Sequence, residues 1–283
     1  LAIALPSGGN VVAGTGTIST PTDGPPLTQI DQVSDRMVIE WADFSIGQGE
    51  TVNFDQPDAA SIALNRVIGS TPSSIFGSLT ANGRVFLVNQ AGITFGSGSQ
   101  IDVGALVATT LDIGNTEFMD GDSLNFSGSG TGQVVNEGVI TLSQGGYAVL
   151  AAPSVRNTGS IQASLGTVVL AAGDALTLDL ASTGLVGYQI GTVNGTQVEN
   201  NGSIFANNGT VYLDAAVASN VAASVVNQQG QINAESFSMG PDGAIHIRGG
   251  NIDQNGELRT GGSIGRGDIS VIAEGDLYIG NDS

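Results

Sequence analysis

The stretches VVNEGVITLSQGGYAVLAA (Val134–Ala152), VRNTGSIQASLGTVVLAAG (Val155–Gly173) and VENNGSIFANNGTVYLDAA (Val198–Ala216) are three versions of one pattern. Each reads V-x-N-x-G-x-I, then a polar stretch, a second glycine and an alternating V-x-L-type strand. A unit of this kind supplies two or three short strands with period-2 alternation, and glycine where the backbone turns sharply or takes φ > 0. One unit cannot bury its own apolar face. Stacked units make a continuous core and pair every strand edge except those at the two ends. Weaker copies follow in VVNQQGQINAES with GAIHIRGG and in IDQNGELRTGG with GDISVIAEG, in register through Gly230 with Ile232 and Gly256 with Leu258. The glycine spacing of roughly 20 to 45 residues falls in the solenoid range. An all-β parallel β-helix is the expected fold.

Asn136, Asn157 and Asn200 hold the same place in the three repeats, two residues before the glycine. Two readings stay open for them: an amide ladder running from rung to rung, or tolerance of a left-handed turn. Working outward, RMVIEWADFSIGQGETVNFDQP carries the only tryptophan and more charge than the repeats. Residues 1 to about 60 are read as strands capping the open end of the coil, with residues 61–283 as coils. Thr116–Gly132 is read as a hairpin or loop excursion. In VFLVNQAGITFGSGSQIDVGALVATT (Val85–Thr110), Val85, Leu87, Ile93 and Phe95 are expected to point inward.

Composition excludes several functions. The net charge of -19, from 26 acidic against 7 basic side chains, disfavours nucleic acid and anionic membrane surfaces. The absence of cysteine removes disulfides, thiolate nucleophiles and zinc–thiolate sites. It also suits a chain that crosses a membrane unfolded. No apolar run is long enough to span a bilayer. The opening LAIALPSGG is compatible with the region after a signal-peptide cleavage site, and the close ISVIAEGDLYIGNDS falls mid-repeat, so a fragment of a longer protein is expected.

Site-like motifs have plainer explanations. Asp55 with Asp58, and Asp120 with Asp122, lie in loop-like segments, lack a basic partner and read as solvated acids rather than a glycosidase pair. MDGDS lacks the further oxygen ligands of a calcium loop. Gly261-Gly262-Ser263-Ile264-Gly265 mimics a nucleophile elbow, yet His246 is the only histidine and should point out of the coil between Ile245 and Ile247. Arg266-Gly267-Asp268 is a possible cell-binding tripeptide, with Gly267 at the turn position of Gly166 and Gly209, which makes it exposed and flat. The sequons at Asn125, Asn194, Asn201 and Asn208 are mostly Asn-Gly turn chemistry. No enzyme activity, cofactor or metal is expected, and the chain is expected to be monomeric.

The ordered succession ALPSGGNVVAG, VIEWADFSIGQGETVNF, ALNRVIGSTPSSIFGSLTANGRVFLVNQAGITFG and IDVGALVATTLDI resembles the two-partner-secretion domain, the N-terminal haemagglutination-activity domain of filamentous-haemagglutinin-like adhesins. The resemblance covers about the whole chain and is most specific from Asn65 to Thr110. It implies a right-handed parallel β-helix that addresses a secreted, adhesin-like exoprotein of a Gram-negative bacterium, after Sec export to the periplasm, to an outer-membrane β-barrel transporter with POTRA domains. It further implies that folding starts at the cell surface. The first family motif falls on Asn65, Arg66 and Val67. The second, usually Asn-Pro-Asn-Gly, falls on Asn89, Gln90, Ala91 and Gly92, with Gln-Ala in place of Pro-Asn. Losing the proline relaxes the turn rather than the fold. These residues are expected either to meet the transporter or to set turns, with turn chemistry favouring the second. The alternative function is that the domain itself binds host or matrix receptors, which an exposed groove rich in aromatics would favour.

Overall fold

The computed structural model of the protein describes residues 5–121, 123–128, 130–181, 184–191, 196–215, 225–236, 243–262 and 267–280. Its strands wind into a right-handed parallel β-helix with three faces. Among the described residues, face I is ten-stranded, face II eight-stranded and face III ten-stranded. One rung shows the path: Ile93–Phe95 lies on face II, Gln100–Val103 on face III and Ala105–Thr109 on face I. Each strand pairs in parallel with its counterparts one rung before and one rung after. Crossovers between parallel strands are right-handed because of strand twist, and that sets the hand of the coil.

The repeats stack in register. On face III, Ile101, Ile140, Ile161, Ile204 and Ile232 form one column, and on face I Leu150, Leu170, Leu213 and Ile247 form another. All are at most 1% exposed, and burying such a side chain contributes about 1.5–3 kcal/mol. Val85, Leu87, Ile93 and Phe95 point into this core, as their alternation indicates. The wider N-terminal coils hold aromatics instead: Trp41 and Phe44 meet edge to face at 5.4 Å, with Phe54 and Phe95 in the same core.

The ladder reading of the asparagines holds. Asn136 Nδ2 donates to Asn157 Oδ1 at 2.8 Å, Asn157 to Asn200 at 2.7 Å, and Asn200 to Gln228 Oε1 at 2.7 Å. All four side chains are fully buried. Among the described residues the only non-glycine positions with positive φ are Leu165 and Asn208, so left-handed turns do not explain the column. The glycines that follow it are required for closeness rather than for φ. A Cβ on Gly159 would lie 2.1 Å from the Gly138 carbonyl oxygen, and one on Gly202 2.2 Å from that of Gly159.

Three features differ from the sequence reading. Among the described residues, antiparallel capping is confined to Asn10–Ala13 on Arg36–Trp41, Gly16–Ser19 on Leu27–Gln32 and the bridge of Ser7 with Asp43. The two partner strands already pair in parallel with the rungs beyond, so coil geometry begins well before residue 61. The segment looks atypical because its rungs are filled by aromatics. Second, the excursion, which leaves and returns through the antiparallel pair Asp112–Ser127, is more ordered than a loop: it contains the helix Asn115–Asp120 followed by the strand Ser123–Ser127. Third, a hairpin of Ala175–Ala181 and Gly184–Ile190 leaves the coil and joins that strand in a separate three-stranded sheet. This layer lies against the outer side of face I. Phe86, Val107, Val149, Phe118, Phe126, Leu176 and Leu178 make a second core there, with Phe86 6.0 Å from Phe118 and 6.3 Å from Phe126.

Candidate recognition site

Asn65 sits in the strand Ile62–Val67, in register between Ile39 and Leu87. Both neighbours are core residues, so its amide projects into the coil and is 0% exposed. A buried amide must find partners. Its Oδ1 accepts the Trp41 indole N–H at 3.0 Å, and its Nδ2 donates to the Ala63 and Phe86 carbonyls at 3.3 Å. Val67 also faces inward.

Arg66 takes the opposite side of the strand. Its Nε donates to Asp112 at 2.8 Å, its Nη1 to Asn115 Oδ1 at 2.5 Å and lies 3.5 Å from Glu40, and its Nη2 donates to the Ile113 carbonyl. One guanidinium thus ties face I to the entry of the excursion helix, and its side chain is 11% exposed.

Asn89 lies where face I ends. Its Nδ2 donates to the Thr71 carbonyl and Ser73 Oγ, each at 3.0 Å, and its Oδ1 accepts the Ala91 N–H at 2.9 Å in an Asx turn. The Gly92 N–H donates to the Asn89 carbonyl at 3.0 Å. Gly92 has φ +119°, which a side chain would oppose, so the family's glycine is kept where the turn needs it. The loss of proline is offset by this bonding. The next rung crosses close by, through Gly132, where a Cβ would lie 2.4 Å from the Gly92 nitrogen.

The two motifs meet. Arg66 pairs with Val88, which puts Val67 and Asn89 at the same end of adjoining rungs. Of the seven motif residues, only Gln90 is in the exposed class. Sequence reasoning did not find Trp41, Asp112, Asn115 and Ser73, the partners that hold the site, because Trp41 comes from the neighbouring rung, Ser73 from face II and the other two from the entry to the excursion.

The remaining candidates stay apart. Asp55, Asp58 and Asp120 are exposed, and Asp122 lies outside the described residues. Asp58 is held below the usual carboxylate range by the Ser61 hydroxyl and the Ala60 N–H, as a turn acid is. Among the described residues no cluster of His, Asp and Glu is arranged to hold a metal. Ser263, Ile264, Arg266 and Asn194 lie outside the described residues. Gly267 stacks on Gly243 in the register of Gly209, and Asp268 is exposed. His246 faces outward and stacks on Tyr212.

Comparison with known proteins agrees with this architecture. The secretion domain of HMW1 from Haemophilus influenzae superposes with a TM-score of 0.80 over 98% of this chain and 77% of that one, at 27% identity. The filamentous haemagglutinin secretion domain shares the fold, with a TM-score of 0.56 over 96% of this chain and 99% of that one, at 17% identity. Two heme/hemopexin-binding proteins of Haemophilus influenzae are 39% identical over 188 residues and 43% identical over 109 residues, or 64% and 38% of this chain. The matched segments make up 20% and 12% of those relatives, so the chain spans about a fifth of their length or less. Secretion domains of this kind are non-catalytic. The TPS secretion domain family matches residues 2–263, and the chain belongs to that family of secretion domains.

Proposed function

We propose that this domain targets a longer exoprotein to a POTRA-containing outer-membrane β-barrel transporter, which reads Asn65–Val67 and Asn89–Gly92 while the chain is extended. The observation that carries this reading is the burial of both asparagines on adjoining rungs. In the folded coil a receptor would meet little of the motif beyond Gln90. In the extended chain every motif side chain and both backbone edges are free to add to a sheet edge of a POTRA domain. Rungs then close outside the cell, each stacking on the last, and the two asparagines pass from recognition into the core. The domain thereby reaches the medium or the surface of a Gram-negative bacterium as the head of an adhesin-like protein. The heme and hemopexin binding after which the relatives are named is assigned to the longer protein.

The test compares two forms of the same sequence. A peptide spanning residues 62–95 and the folded chain are titrated against the isolated periplasmic domains of the partner transporter. The peptide is expected to bind and the folded chain not. Asn65→Ala and Asn89→Ala should lower partner-dependent export from a Gram-negative host. Equal binding by the folded chain, or export that survives deletion of the POTRA domains, overturns the reading.

A further inference from the structure

The outer side of face I carries a row of rings at the edge of the second core, with Tyr188 and Tyr212 packed against it. In the column where earlier rungs place Val149 and Val169 under the hairpin, the next two rungs place Tyr212 and His246. The His246 ring stacks on Tyr212 at 4.9 Å and 16°. Tyr188, from the hairpin strand Gly184–Ile190, meets Tyr212 edge to face at 5.1 Å. The following rung places Ser270 in the same column, and the row of rings ends there.

A carboxylate–guanidinium pair runs beside the rings. Arg248 donates from Nε and Nη2 to the two oxygens of Asp214 at 3.0 and 2.8 Å, and the Tyr188 hydroxyl donates to Asp214 at 3.2 Å. The Asp214 side chain is 6% exposed and that of Arg248 is 52% exposed. The pair is therefore anchored at the acid and open at the base. Burial, then the Asp214 charge and its hydrogen bond, push the Tyr188 hydroxyl well above its ordinary range, so it remains a protonated hydrogen-bonding group. Rings, ion pair and hairpin strand together enclose a cleft of about 620 Å³. On its cleft side the hairpin strand has no neighbouring strand among the described residues.

Tyr212 is covered by its neighbours, but the His246 face turned away from it, toward the small Ser270, is left for the C–H side of a pyranose, and a guanidinium–carboxylate pair sets donors and acceptors side by side for neighbouring hydroxyls. Charge narrows the class. Asp214 neutralises Arg248, and the chain's net charge of -19 repels sialylated or sulfated sugars. We propose that this cleft binds a neutral, hydroxyl-rich oligosaccharide, with a sugar ring against the face of His246 turned away from Tyr212 and its hydroxyls on the Arg248–Asp214 pair. The site is separate from the export motif and operates on the folded domain.

Saturation-transfer NMR on the 283-residue chain tests this, with lactose, N-acetyllactosamine, maltotriose and cellotriose as neutral probes and 3′-sialyllactose as the anionic one. At least one neutral probe should show transfer. His246→Ala should weaken it by about tenfold, the loss of one good contact. Ser270→Trp, which fills the cleft where the row ends, should abolish it and covers the case in which His246→Ala lowers the unfolding temperature. Arg156→Gln, on face II, should leave it unchanged. Silence from every neutral probe, transfer untouched by both cleft substitutions, or preference for the sialylated probe overturns the proposal. So does a Soret shift of added hemin that His246→Ala removes, which would assign the cleft to a metalloporphyrin.

Discussion

Leu165 has φ +57° and its side chain is 42% exposed, so a branched residue holds a left-handed turn without burial in return. The equivalent turn positions are Gly145, φ +78°, and Asn208, φ +57°, residue types that accept this conformation. Leu165→Asn should raise stability by about 1 kcal/mol, read as a higher urea midpoint with an unchanged slope. Asn65 is the opposite case. Asn65→Ala strands the Trp41 indole N–H and the Phe86 carbonyl inside the coil, at a cost of about 2–4 kcal/mol. A loss below the low end of that range would mean water replaces the amide and the residue is kept for another reason. The sequence reading favours a turn for Asn65, which lies instead inside a strand; an isolated Asn among Ala, Leu, Arg and Val carries no sign of its partner when that partner is a tryptophan 24 residues away.

At the level of strands and columns, the amide ladder should behave as a chain whose middle matters more than its end. Asn157→Ala leaves the Asn136 donor and the Asn200 acceptor buried without their partners and should cost about 2–4 kcal/mol. Gln254 lies one rung past the ladder and donates only to the Gly256 carbonyl among the described residues, so Gln254→Ala should cost about 1 kcal/mol. Equal losses in urea melts would show that the column is not coupled. The ladder and the strand register were legible because repeats print their alignment directly on the sequence. The hairpin was not. The long gap between Asn157 and Asn200 announced an insertion, and a second signal went unread: the outward positions of YAVLAA and TVVLAA carry no charge and, apart from Tyr147 and Thr167, only Val and Ala. A strand apolar on both sides needs a covering layer.

For the whole molecule, stability should depend on pH at the alkaline end. Tyr147 is 1% exposed, and burial raises its hydroxyl above the ordinary value, an effect only partly offset by the nearby Arg84 charge. Below the unfolded tyrosine value of about 10 both states keep the proton and pH has no effect through this group. Above it the unfolded chain loses a proton that the folded chain keeps, so stability falls as pH rises, by about 1.4 kcal/mol per pH unit. Tyr147→Phe should reduce that slope between pH 10 and 12, as followed by urea unfolding at fixed ionic strength. An unchanged slope would place the alkaline sensitivity elsewhere. The covering hairpin has a consequence of another kind, one of timing. A chain delivered from its N-terminus presents Val107 and Val149 on the outer side of face I before Leu176 and Leu178 arrive to complete the cover. The shortest self-sufficient piece is therefore set by the hairpin and not by the number of rungs: truncation after residue 173 should bind a hydrophobic dye and aggregate, whereas truncation after residue 191 should not.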